Sequence, residues 1–152
     1  MKKMIFFPVI LSVLLAGCMP SVPVDLTITV SGFLMLPAQA AGKKFVVCFD
    51  QDRNPFNGVS KKVEGTCIAG LAVPYEAVLS TARNYYIYAY VENDNAFNAA
   101  DMKYVSDGDY FGLYGAAYPN WPASANASVQ DKKDQVFDIN LVSVGDNISG
   151  TL

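Results

Sequence analysis

Two stretches of the sequence concentrate the side-chain oxygens that a hard cation such as Ca²⁺ prefers. They are residues 50–58 and 92–101, and if both lie at one end of the fold they could together hold one Ca²⁺; otherwise no cofactor is predicted. The first departs from an EF-hand loop, because Pro55 replaces the glycine and Lys61 the bidentate Glu. The better-supported alternative is that Asp and Asn simply build surface turns. The candidate ligands are Asp50, Asp52, Asn54, Asn93, Asn95 and Asp101.

Aromatic residues are dense in the second half of the chain, where eight of the nine tyrosines lie between Tyr85 and Tyr118. Exposed rings beside Asp and Asn would suit a glycan or a protein partner, because rings give contact area at low entropy cost. The alternative, which the sequence favours, is that these rings line a sheet face and fold a long loop onto the core. The candidate partner-binding rings are Tyr110, Tyr114, Tyr118 and Trp121.

Cys48 and Cys67 form an even pair, and in an exported protein such a pair favours a disulfide. The bridge would stabilise the fold by about 3 kcal/mol through the entropy of the unfolded chain. Two buried free thiols that behave as small apolar side chains are the alternative. Without a Cys-x-x-Cys motif, redox catalysis is not predicted.

Several function classes are excluded or disfavoured by composition. The chain contains no His, which excludes Ser-His-Asp and Cys-His catalysis. Its net charge of −3 argues against nucleic acid. Asp107 and Asp109 could serve as an acid–base pair in a carboxylate-based envelope hydrolase, but their spacing carries no glycosidase signature. We therefore predict that the protein is not an enzyme.

The N-terminus has the features of an export signal. Lys2 and Lys3 precede an apolar run, residues 5–15, that is too short to span a bilayer. The run ends in Leu-Ala-Gly-Cys at residues 15–18, which resembles the lipobox of bacterial lipoproteins. The resemblance implies a cleaved signal peptide at residues 1–17, a lipidated Cys18 carrying palmitate-type acyl chains, and a tether at 18–24. Because Met19 is not Asp, the resemblance also favours the outer over the inner membrane of the cell envelope.

Beyond the tether, apolar and polar residues alternate with the period of β-strands. The clearest runs are residues 26–30, 45–49, 84–92 and 135–142, with a less regular run at 63–73. Residues 74–81 show weak helical amphipathicity, which predicts one helical turn, and residues 106–127 read as irregular. These patterns predict an all-β fold for residues 25–152, arranged as a single antiparallel β-sandwich such as the Ig-like type. A small open barrel is the competing architecture.

The order and content of these strands resemble the transthyretin-like, carboxypeptidase-regulatory-like sandwiches of bacterial lipoproteins. The resemblance rests on an opening strand at residues 26–34, on residues 42–50, on the aromatic strand at 84–92 with its Asn/Asp-rich turn, and on 136–141. One departure is Thr81-Ala82-Arg83, which replaces the usual glycine before the aromatic strand. The family is functionally mixed, so the resemblance implies a fold and not an activity.

Together these features predict a lipid-anchored cell-envelope protein with a non-catalytic binding, structural or accessory role. Its expected partners are the membrane, through the anchor, and another envelope protein. A calcium- or glycan-binding surface module is the alternative.

Overall fold

In a computed structural model, residues 26–54, 57–93, 105, 107–131 and 134–145 are described, and they form eight β-strands. This confirms the predicted all-β fold. Within these ranges no helix is long and apolar enough to cross a membrane. The strands are β1 (Thr27–Met35), β2 (Lys44–Asp50), β3 (Lys61–Thr66), β4 (Ala72–Ser80), β5 (Arg83–Val91), β6 (Tyr110–Leu113), β7 (Ala127–Val129) and β8 (Ile139–Ser143).

Seven strands form one continuous sheet in the order β3-β2-β5-β6-β8-β1-β4, and β7 pairs with β5. The edge strands β3 and β4 lie near each other, so the sheet is nearly closed. The paired strands are antiparallel with one exception, which corrects the purely antiparallel prediction. β8 runs parallel to β1 through Ile139 and Asn140, and then pairs with β6 through its remaining residues. The last strand thereby joins the β1–β4 ladder to the β2–β5–β6 ladders.

The main core contains the inward residues of the alternating strands. Phe45, Val47 and Phe49 of β2 are buried there, as are Ile139 and Leu141 of β8, in agreement with the predicted faces. Since side chains of a strand alternate between faces, the neighbouring residues of β2 point to the other side of the sheet.

A second apolar cluster covers that other side. Val46 and Cys48 of β2, Tyr88 and Tyr90 of β5, and Phe111 of β6 are all buried in it. The cover comes from the segment after β6, which contributes the partly buried rings of Tyr118 and Trp121. β2 and β5 are consequently buried on both faces, as their nearly continuous apolar sequences allow.

Two local expectations are wrong. Residues 74–81, predicted as a helical turn, belong mostly to β4, whose side chains alternate between buried and exposed. Inward Val73, Tyr75, Ala77 and Leu79 set a period of two, and Pro74 is tolerated because β4 is an edge strand. The segment 106–127, predicted as irregular, contains β6.

Candidate functional site

The first Asp/Asn loop is held by hydrogen bonds within itself. Asp50, the last residue of β2, accepts a hydrogen bond from the Asp52 backbone N–H through Oδ1 (3.3 Å). Asp52 accepts from the backbone N–H of Asn54 (2.8 Å) and from Asn57 Nδ2 (2.9 Å). These two bonds, the Asn57 bond first, lower the pKa of Asp52. Both Asp52 oxygens therefore serve as acceptors that shape the turn, as Asp does in many surface turns.

Beneath this loop lies a small cluster of buried polar groups. Asp50 is 3% exposed and its Oδ2 has no hydrogen-bond partner. Tyr88 is 1% exposed, and its hydroxyl also lacks a well-formed hydrogen bond, although it lies close to the Cys48 thiol. Burial raises the pKa values of Asp50 and Tyr88, and raises that of Cys48 to about 12, so the thiol is neutral. Asp50 Oδ2 is thus a buried acceptor that is open to a proton, a water or a cation.

Among the described residues, the structure does not bring the two Asp/Asn loops together. On the β2–β5 ladder, Asp50 pairs with Tyr86 at one end, whereas Phe45 pairs with Val91 at the other. That second end lies about 17 Å along the ladder from Asp50, at roughly 3.3 Å per residue, and Asn93 follows beyond it. Asn95 and Asp101 lie outside the described residues. Within the described part of the chain, no group of three or more His, Cys, Asp or Glu side chains could hold a metal ion.

Asn93 and Asp109 close the far end of the ladder. The Asn93 backbone N–H donates to Asp109 Oδ1 (2.7 Å), and Asn93 Nδ2 donates to the Gly108 carbonyl (3.2 Å). Lys43 Nζ donates to the Asn93 carbonyl (2.9 Å). Asp109 is fully buried, while Asp107 is exposed. Asp109 therefore acts as a structural acceptor, and it differs from Asp107 in solvent exposure.

Two of the candidate rings cover the second apolar cluster. The ring centroids of Trp121 and Tyr88 are 5.4 Å apart with an edge-to-face tilt. The Tyr118 ring lies 5.2 Å from Phe111, again edge to face, and Trp121 also approaches Phe111. Such arrangements are favourable between aromatic side chains. Both rings thus hold the segment after β6 against the sheet.

The other two candidate rings pack on the opposite side. Tyr114 lies 5.1 Å from Phe137, edge to face, and together with Tyr110 it packs against the main core. All four candidate rings are partly buried. They belong to two different clusters, so they do not form one continuous aromatic surface.

The predicted disulfide is absent. Cys48 and Cys67 are buried free cysteines. Cys48 lies in the second cluster and Cys67 in the main core. The Cys67 backbone N–H donates to the carbonyl of Lys43 (2.8 Å), which lies five residues before Cys48, so the Cα atoms of the two cysteines are about 17 Å apart along the strand. Disulfides need Cα atoms within about 7 Å, so the free-thiol alternative describes this pair.

Sequence reasoning missed an exposed apolar surface on the β1–β4 ladder. Phe33 (44% exposed) and Met35 lie opposite Pro74 and Ala72, and Val78 is 52% exposed on the same face. The signal was present in the sequence, because Phe33 and Met35 lie an even number of residues after the polar residues at the start of β1 and therefore share their outward face. Contiguous exposed apolar residues such as Phe33 and Met35 can mark interaction surfaces, whereas exposed Glu76 separates Val78 from this pair.

A scan of protein-family models and searches of curated proteins and of solved structures found no match to this chain.

Proposed function

We propose that the protein is a lipid-anchored cell-envelope protein with a non-catalytic role, in which the β-domain binds an envelope protein or forms an accessory part of an assembly. The observation that carries the anchor is the Leu-Ala-Gly-Cys motif at residues 15–18, placed after a basic start and a short apolar run. Leu26, the first described residue, is only eight positions after Cys18 in the sequence. At about 3.4 Å per residue this tether keeps the domain within roughly 27 Å of its anchor.

The exposed apolar surface on β1 and β4 supports the binding role. Phe33, Met35 and Val78 are held on a regular ladder rather than on loops, so the surface is pre-formed. Burying such side chains contributes about 25 cal/mol per Å² of apolar area. A pre-formed apolar face on an anchored domain fits a protein partner that is held at the same membrane.

Metabolic labelling with an alkyne analogue of palmitate tests the anchor. The wild-type chain, expressed in a bacterial host, should be labelled and should sediment with membranes, whereas Cys18→Ser should lose both properties. Cys67→Ser is the matched control, because it removes another cysteine and should keep the label. Persistent labelling of Cys18→Ser would refute the assignment. For the choice of membrane, Met19→Asp should move the protein from the outer to the inner membrane fraction.

A calcium-binding module is the second candidate, favoured by the unpartnered Asp50 Oδ2 beneath the 50–58 loop. A calcium ion at this oxygen should raise the melting temperature through preferential binding to the folded state. The shift should vanish in Asp50→Asn and persist in Asp107→Asn, an exposed control. The candidate is eliminated if millimolar Ca²⁺ leaves the melting temperature of the wild type unchanged.

A further inference from the structure

One edge of β1 is open near its start. From Ser31 onward this edge is occupied: the Ser31 N–H donates to the Gln135 carbonyl (3.1 Å), and the Ser31 carbonyl accepts from the Phe137 N–H (2.9 Å). Two residues later, the Phe33 N–H donates to Asp138 Oδ1 (2.9 Å) on the same side. The segment that leads into β8 first pairs with β1 at Ser31. Among the described residues, no strand therefore lies beside the part of β1 that precedes Ser31.

The free backbone groups on this edge include those of Thr29. Along a strand, backbone groups of residues two apart point to the same side, so those of Thr29 point as those of Ser31 do, away from β4. Thr29 is exposed, and no described residue pairs with its N–H or C=O on that side. An unpaired strand edge is a template for a further strand.

A groove of about 350 Å³ lies beside this edge. Its walls include Thr29 and Ser31 of β1, Glu76 of β4, and Asp134 from the segment before β8. Glu76 lies directly opposite Ser31 and is exposed, as is Asp134. Two carboxylates in the wall favour a Lys or Arg side chain on whatever fills the groove, because complementary charge selects the partner.

From these features we infer that the Thr29 edge of β1 binds an extended, basic segment of a partner protein, which adds to the sheet as a strand. This inference rests on the proposed partner-binding role and names its site and its chemistry. Backbone hydrogen bonds to Thr29 supply the pairing, and Glu76 and Asp134 select the positive side chains. A second copy of this chain is disfavoured, since a symmetric contact brings Glu76 and Asp134 of both copies together.

The groove also lies at the end of β1 that leads to the tether. Leu26 begins that end, eight residues after Cys18. In the anchored protein the open edge is thus the membrane-proximal part of β1. The partner segment is then one that runs close to the membrane surface, such as the extended flank of another anchored or membrane-embedded protein.

Peptide binding to the full chain, purified in detergent, tests the inference. The probes are fluorescent eight-residue peptides that alternate Lys with Val or Thr, and a matched set with Glu in place of Lys; binding is followed by anisotropy. Thr29→Pro removes the N–H that faces the groove but leaves the ladder to β4, which uses the even-numbered residues of β1. Thr29→Val keeps the N–H and is the matched control. Glu76→Gln should weaken binding of the Lys set about two- to fivefold, as expected for one exposed charge pair.

We expect the Lys peptides to bind the wild type and Thr29→Val, and to lose binding in Thr29→Pro. A second measurement does not depend on the proline variant: hydrogen exchange of the Thr29 amide in the wild type should slow when a Lys peptide is added. Equal binding of the Glu set, unchanged binding by a folded Thr29→Pro, or no binding at millimolar peptide would each overturn the inference.

The other possible occupants give distinct outcomes. A Thr29 amide that is already protected without peptide would show that another segment of this chain fills the groove. A dimer in sedimentation that Thr29→Pro dissociates would assign the edge to a second copy. Either result overturns the inference. None of these measurements depends on lipid attachment, so a failed anchor and a failed binding edge are distinguishable.

Discussion

Trp121→Ala tests whether the aromatic segment after β6 is a structural cover or a free binding surface. The Trp121 ring packs on Tyr88 and Phe111 over the second apolar cluster. Replacing a buried aromatic residue by Ala costs about 3–5 kcal/mol, and because Trp121 is only partly buried we expect the lower end, about 3 kcal/mol. For a domain of this size the melting temperature should fall by about 10 °C.

The same substitution has a local readout at the cysteines. Cys48 shares the second cluster with Trp121, whereas Cys67 is buried in the main core. In a Cys18→Ser background these are the two remaining thiols. Trp121→Ala should therefore accelerate alkylation of Cys48 by a maleimide under native conditions and leave Cys67 protected, as peptide mass spectrometry would resolve.

Matched variants test whether both effects come from loss of the ring that packs over Tyr88. Trp121→Phe keeps a ring over Tyr88 and should recover most of the stability and of the Cys48 protection. The Tyr114 ring packs on Phe137 instead, so Tyr114→Ala should destabilise the domain without selectively exposing Cys48. If Trp121→Ala leaves both the melting temperature and Cys48 alkylation unchanged, the ring does not cover the sheet and the packing argument fails.

Three further predictions follow from backbone and charge. Gly112→Ala places a Cβ 2.2 Å from the Asn140 carbonyl oxygen, so we expect a loss of about 1–3 kcal/mol in chemical denaturation, against no effect for Gly145→Ala, which meets nothing within 4 Å. Ala82 has φ 56°, and Ala82→Gly should raise the free energy of unfolding by about 0.5–1 kcal/mol; a decrease would contradict the backbone assignment. Because desolvation raises the pKa of Asp50 above 3.8, the folded state holds that proton more tightly than the unfolded chain. Its contribution to stability is thus largest at low pH and is lost as pH rises through the folded pKa, and a titration of stability should show this slope flattened in Asp50→Asn.

Strands with one buried and one exposed face were predictable, because the local sequence itself shows the alternation of apolar and polar residues. The alternation of buried Ile139 and Leu141 with exposed Asn140 marks β8 and its inward face correctly. β6 was not predictable in this way. It is four residues long, contains Gly112, and is buried on both sides of the sheet, so no alternation marks it. Its glycine is explained only by the backbone of β8, which lies too close for a Cβ.

The candidate sites also differ in whether local or long-range interactions create them. The sequence indicated Asp52 as a candidate ligand because of its oxygens. Those oxygens accept hydrogen bonds from residues two and five positions later and so build a turn, a local interaction that the sequence does encode. The open edge at Thr29 depends instead on where a distant segment first reaches β1. Had that segment paired two residues earlier, Thr29 would have been an ordinary interior residue of the sheet with the same neighbours in sequence. A surface created by the end of a long-range pairing leaves no local pattern in the sequence. For this reason the sequence predicted candidate sites in the loops and none at the strand edge.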